Sequence, residues 1–318
     1  MELRTLGRTG LQVSVAGFGG GGLSCLGLKQ GKAEKEIIQL LNKGLDAGIN
    51  LLDTSERNGT EPAIGKALKN RARDKIILSS KRSVSYGEHQ VSSAEFSKAI
   101  DDSLRALGVD YIDIFSFHGV FPGEYDRVVQ ELLPSLTQAK AAGKVRFCGI
   151  TEAFKSDTRH QMLQTALMDD LWDVIMVGYN VFNFSAQELL FDQVNQNNIG
   201  VLGMFAVRQA LRDEDNFLET VRKLIESGEL NGHFDEESIL NQLLNECEER
   251  LSVAELAYRY CLGNPSIHSV LMGTGNPLHL EQNLGAFNKS TLSPIKIQLI
   301  EKHFGGIQTV SGQRVTSE

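Results

Sequence analysis

Strand-like apolar runs alternate with amphipathic helical stretches along almost the whole chain, and the alternation repeats eight times. The runs lie near residues 13–18, 49–53, 76–80, 111–117, 145–150, 173–178, 199–204 and 268–272. Helical periodicity fills intervals such as 34–47, 93–107 and 125–142. Gly48, Gly108 and Gly143 follow these three helices as C-terminal stops. Strands separated by helices pair in parallel, because a parallel neighbour needs a long crossover. Eight such units in one chain predict an α/β fold, a single (β/α)8 TIM barrel domain over residues 1–318.

Three regions fall outside the repeat. Residues 2–12 read as an N-terminal β-hairpin turning at Thr9-Gly10, placed to plug the barrel floor. Residues 207–250 form a long acidic loop insertion after strand seven, with helical stretches at 214–226 and 236–249. A lid over the catalytic face and an ordinary solvated helix pair are both open readings. Residues 305–318 are a polar tail without periodicity.

The chain is 41% hydrophobic and 23% charged, the balance of a soluble globular protein. A net charge of −8 argues against nucleic acid and anionic membranes as partners, and leaves a small-molecule substrate. No signal-like or membrane-spanning run is present, so the expected location is the cytoplasm. Cys25, Cys148, Cys247 and Cys261 form no CxxC pair and read as buried reduced thiols. The histidines show no metal-ligating spacing, so no metal site is expected.

In such a barrel the C-terminal ends of all strands face one mouth, where catalysis sits. Asp53, Lys81 and His118 each end an apolar run and therefore converge there. Gly17-Phe18-Gly19-Gly20-Gly21-Gly22 satisfies G-x-G-x-x-G, yet Leu23-Ser24-Cys25-Leu26 opens no helical stripe after it. The dinucleotide fingerprint of a doubly wound sheet requires that helix. Gly21 and Gly22 instead read as a mouth loop whose backbone comes close to a ligand.

Taken together, several motifs resemble the aldo-keto reductase superfamily. They are residues 6–14 (LGRTGLQVS), 48–56 (GINLLDTSE), 111–118 (YIDIFSFH), 143–150 (GKVRFCGI) and the segment from Gly273-Thr274-Gly275 to Asn283. The resemblance spans nearly the whole chain. It implies a (β/α)8 barrel binding NADPH or NADH at its mouth, with hydride moving between nicotinamide and a carbonyl carbon. It also implies an aspartate, tyrosine, lysine and histidine as catalytic residues. Asp53, Lys81 and His118 match three of them; the tyrosine position holds Asn58.

Asn58 can polarise a carbonyl but cannot surrender a proton near neutral pH. Loss of a general acid costs about 10²–10⁴ in rate. Asn58-Gly59 also suits a simple turn, and Tyr86 is a second possible source of a phenol. Further departures gather at the nicotinamide end. Thr151-Glu152 stands where Ser-Asn is usual, Met176 replaces a glutamine, and Met204, followed by Phe205, stands where a ring often stacks. The phosphate end keeps its pattern, with Gly273, Thr274 and Gly275 before a helix and Gln282 and Asn283 by the adenine, while His279 stands where many relatives carry an arginine for the 2′-phosphate. Arg208 stands where it could reach the pyrophosphate or form a surface salt bridge.

The resulting expectation is an oxidoreductase acting on a small carbonyl or imine with altered proton delivery, using NADP(H) ahead of NAD(H). The alternatives are a lyase, dehydratase or isomerase using Lys81 and His118 as base and acid, and a non-catalytic nucleotide-binding protein.

Overall fold

A computed structural model describes residues 1–231, 235–246 and 249–313. Eight parallel strands close into a barrel in sequence order: Ala16–Gly19, Leu51–Asp53, Ile77–Ser83, Ile112–Val120, Val145–Glu152, Val174–Gly178, Gly200–Met204 and Ser269–Met272. All eight expected strands are present, with shifted ends. Gln12–Ser14 pairs antiparallel with Leu3–Thr5, so the first barrel strand begins only at Ala16. Strands three and four run past their expected ends, because the ladder continues through Lys81↔Ser116, Arg82↔Phe117 and Ser83↔His118.

Alternate strand residues point inward and fill the barrel. Leu51, Ile77, Ile114, Val174, Met176 and Leu202 form one cluster with Leu6, Leu11 and Val13 of the N-terminal hairpin. The hairpin therefore closes the floor. Its turn presses so hard on strand seven that a Cβ on Gly7 would lie 2.4 Å from the Gly200 nitrogen, and Gly7 has a φ of +46°. Only glycine meets both demands. A larger apolar core lies between the outer strand faces and the helices, with Trp172 fully buried in it.

The helices follow their apolar stripes. Glu34–Asp46 and Ser93–Leu107 each bury one face. Ser92 caps the latter by accepting from the Glu95 amide while Glu95 reaches back. The stretch 125–142 is interrupted by a wide turn at Val128–Leu132, just before Pro134, which has no amide to donate.

In the insertion, Glu214–Glu226 and Glu236–Leu244 bury Phe217, Val221, Leu224, Leu240 and Leu243. The second helix packs against the first and against Val253–Gly263 and Pro294–Phe304. It stops at Leu244, short of the expected 249. Asn245–Glu246 then pairs with Glu249–Arg250. Along the tail, Ile307 and Val310 are buried, and Ser311 and Gly312 accept hydrogen bonds from Asn180 Nδ2 and the Ala210 amide. Cys25, Cys148 and Cys261 are buried free thiols; Cys247 lies outside the described residues. No helix among the described residues is long and apolar enough to cross a membrane.

Candidate active site

A cavity of about 1190 Å³ opens at the mouth. Asp53, Asn58, Lys81 and His118 border it at one end, and Gly273, Thr274, Gly275, His279, Gln282 and Asn283 at the other. Gly21, Gly22, Thr151, Glu152, Met176, Met204, Phe205 and Arg208 complete the wall between them.

Asp53 ends strand two, and Lys81 sits three residues from the end of strand three. Both side chains are buried, and Lys81 Nζ donates to Asp53 Oδ1 at 2.6 Å, Oδ2 at 2.7 Å and the Thr54 carbonyl at 2.8 Å. Ser79 Oγ donates a further bond to Asp53 Oδ1 at 2.8 Å. The ammonium is thus fixed by three acceptors, and the carboxylate is fully engaged. Next to the pair, His118 has an Nδ1 that is buried without a hydrogen-bond partner. Burial, followed by the Lys81 and Arg57 charges, pushes its imidazole down from 6.5 to about 3. His118 is therefore neutral at pH 7 and can donate a hydrogen bond but not act as an acid.

Asn58 ends the 3-10 turn Glu56–Asn58, and Gly59 follows with a φ of +69°. Asn58 thus both shapes this turn and borders the cavity. Its amide lies against Gly21, where a Cβ would come within 3.0 Å of Asn58 Nδ2. Tyr86 is no proton donor to this cavity. Its hydroxyl donates to Glu56, and burial and that carboxylate raise its pKa. Tyr125 is buried under a helix start, donating to Asp169 Oδ2 at 2.7 Å.

At the far end, residues 273–275 run into helix Pro277–Phe287, whose start Asn276 caps by accepting from the Leu278 amide. The loop after strand one folds over this segment. A Cβ on Gly275 would lie 2.6 Å from Gly27 Cα, and Gly27 has a φ of +99°. Arg208 forms no salt bridge among the described residues; its guanidinium lies 3.9 Å from the Phe205 ring centroid. Lys29 and Lys155 border the same cavity, and burial and mutual repulsion with Arg208 lower the Lys155 pKa.

The sequence pattern of the Aldo/keto reductase family matches residues 17–304. The chain belongs to the aldo/keto reductase family. It is an oxidoreductase of that type. L-galactose dehydrogenase of Arabidopsis thaliana is 31% identical over 295 residues, covering 90% of this chain and 88% of its own. An uncharacterized oxidoreductase of Bacillus subtilis, YqkF, is 25% identical over 312 residues, 95% of this chain and 96% of its own. The holo form of an aldo-keto reductase from Bacillus halodurans superposes with a TM-score of 0.70 at 26% identity, covering 95% and 96% of the two chains.

Within this aldo/keto reductase, Glu152 borders the cavity with its carboxylate already engaged: it is fully buried, held by His160 Nδ1 at 2.9 and 3.0 Å and by the Gly178 amide at 2.7 Å. The link continues outward. His160 Nε2 lies 3.1 Å from Ser185 Oγ, which donates to Asn183 Oδ1 at 2.7 Å. Asn183 is oriented by its own donation to the Thr158 carbonyl. Ser185 therefore has no proton left for His160, so Nε2 is the donor in that contact. Burial raises the Glu152 pKa. Phe154 stacks on the His160 ring at 5.2 Å and fills the space over Gly178, where a Cβ would lie 2.1 Å from the ring. Thr151 is likewise engaged, accepting from the Gly119 amide at 2.7 Å. Arg57, Lys29, Lys155 and Phe154 went unnoticed in the sequence; the one available signal was that Arg57 adjoins Asn58.

Proposed function

We propose that the protein is an NADP(H)-dependent reductase of small carbonyl or imine compounds in which no phenol delivers the proton. One observation carries the reading: a single cavity joins the Asp53–Lys81 pair and His118 to the segment 273–283. A dinucleotide fits the donors present. The glycine-rich segment at a helix start offers backbone amides to phosphate, and Arg208, Lys29 and Lys155 offer cations without carboxylate partners among the described residues. Lys32, packed over Gly27, joins His279 at the adenine end as a partner for a 2′-phosphate, which favours NADP(H).

When bound, the nicotinamide supplies or accepts the hydride. His118, with Asn58 on the facing loop, presents hydrogen-bond donors to the substrate's oxygen or nitrogen, and the Lys81 ammonium adds its positive charge beside them. Asp53 holds the Lys81 ammonium in one position. Asn58 and the neutral His118 ring give up no proton near neutral pH, and the three Lys81 protons are committed to Asp53 and Thr54, so the proton comes from water or from the substrate itself. An imine that arrives already protonated needs none. The lyase reading loses support on the same ground, because His118 is neutral and Lys81 is tied to three acceptors.

Calorimetric titration with NADPH and NADH tests the assignment. The expected result is binding of both, with NADPH tighter and its advantage reduced in Lys32→Gln. Trp172 is fully buried and does not border the cavity, so the nucleotide's own fluorescence is the optical readout. Absence of binding for both nucleotides at high micromolar concentration would sink the proposal.

A further inference from the structure

The cavity is electropositive although the protein is acidic. Among the acids that border it, Asp53 is held by Lys81, Glu152 by His160, and Asp213 by Arg212 and the Asn216 amide. Most of the unpaired cations belong to the phosphate end. Arg57 does not. It directly precedes Asn58 on the turn Glu56–Asn58, and its charge is felt by the His118 ring.

The acid next to Arg57 in sequence is already taken. Glu56 accepts from the Tyr86 hydroxyl and pairs with Arg82 at 3.4 Å. Arg57 itself has no carboxylate partner among the described residues. Its contacts are Ser83 Oγ at 3.3 Å and the Tyr86 ring, whose centroid lies 5.2 Å away. Arg82 covers the same ring at 4.9 Å. Tyr86, Glu56 and Arg82 thus form a platform that steadies the Arg57 guanidinium and leaves most of its five donors unused. The same cavity also exposes apolar surface: Leu23 and Phe121 border it at 55% and 44% exposure.

We propose that Arg57 anchors a carboxylate carried by the substrate, which is then a small carbonyl compound with an apolar body and one negative charge. This rests on the reductase reading above. A planar guanidinium offers two parallel donors that match a carboxylate. One guanidinium, with its neighbour Arg82 neutralised by Glu56, matches a monoanion better than a phosphate dianion. Anchoring at one end also fixes the carbonyl against Lys81 and His118, which matters in a site whose proton donor is missing.

Three aldehydes of similar reactivity test the assignment: 4-carboxybenzaldehyde, its methyl ester, and 4-formylphenyl phosphate. Their kcat/KM values are measured with NADPH for the wild type, Arg57→Gln and Arg57→Lys. The expected wild-type preference for carboxylate over ester is about 10–100-fold, the worth of one charge-assisted contact. It should lie in KM, collapse toward one in Arg57→Gln, and survive in part in Arg57→Lys. Equal use of acid and ester, or a preference that persists in Arg57→Gln, overturns the anchor. Preference for the phosphate over the carboxylate overturns the monoanion assignment. If none of the aldehydes is reduced, the reductase reading fails separately. Calorimetry with benzoate against benzamide then decides on Arg57: tighter benzoate binding that disappears in Arg57→Gln supports the anchor, and equal binding ends it.

Discussion

Replacing His160 with alanine leaves the Glu152 carboxyl group fully buried with the Gly178 amide as its one remaining donor. The ring's links to Glu152 and to Ser185 both go. Removing one member of a buried hydrogen-bonded pair costs about 3–5 kcal/mol. A chain of 318 residues unfolds with an entropy of about 0.7 kcal/mol/K, so the melting temperature should fall by about 4–7 °C. Glu152→Gln should behave differently. Its oxygen can accept from Gly178 and its amide can donate to His160 Nδ1, while Nε2 still donates to Ser185, so every bond survives and the cost stays below about 1 kcal/mol. The two variants also differ in their response to pH. Burial holds Glu152 above the ordinary 4.5, so the folded state keeps a proton that the unfolded chain releases. That contribution is complete below 4.5 and drains away as pH rises through the higher folded value. The wild type should lose stability along this window relative to Glu152→Gln. Circular-dichroism melts of the three proteins from pH 4.5 to 8.5 measure both effects. A Glu152→Gln penalty as large as that of His160→Ala would show that the charge, not the bond pattern, holds this corner, and the proton assignment would be wrong.

Two further outcomes follow from the mouth. Asn58→Tyr should raise NADPH-dependent reduction of an aromatic aldehyde by up to about 10²-fold, the lower end of what a general acid contributes; brisk wild-type turnover with no gain would show that the proton already has a route. The His118 ring should not titrate between pH 5 and 8 by NMR, because its pKa is pushed to about 3. Its effect on stability is complete above 6.5 and declines as pH falls toward 3; a midpoint near 6.5 would contradict the burial argument.

The barrel was legible because strand and helix each leave their own periodicity and glycines mark the helix ends. Asp53, Lys81 and His118 were legible for a related reason: in a parallel barrel, position along a strand fixes which end of the molecule a residue occupies. What lay off the strands could not be read this way. Glu152 and His160 meet through a loop in which His160 adopts a φ of +57°, a conformation that nothing in the local sequence requires. Tyr86 was thought capable of reaching the cavity, yet the small hairpin of Ser85–Tyr86 and His89–Gln90 carries its hydroxyl to Glu56. The helix expected over 236–249 ends at Leu244, where Asn245–Glu246 turns to pair with Glu249–Arg250, a tertiary choice the local pattern does not announce.

The contact between Phe154 and Gly178 also constrains how this chain can change. Any side chain at 178 would collide with three atoms of the Phe154 ring, all within 2.4 Å of the new Cβ. A residue larger than glycine can enter there only after Phe154 has become smaller, and a smaller Phe154 uncovers the His160 ring. The two positions are therefore epistatic, with a fixed order of acceptable steps. A library that randomises 178 alone will return glycine, and sequence drift at this edge of the cavity must start in the loop after strand five.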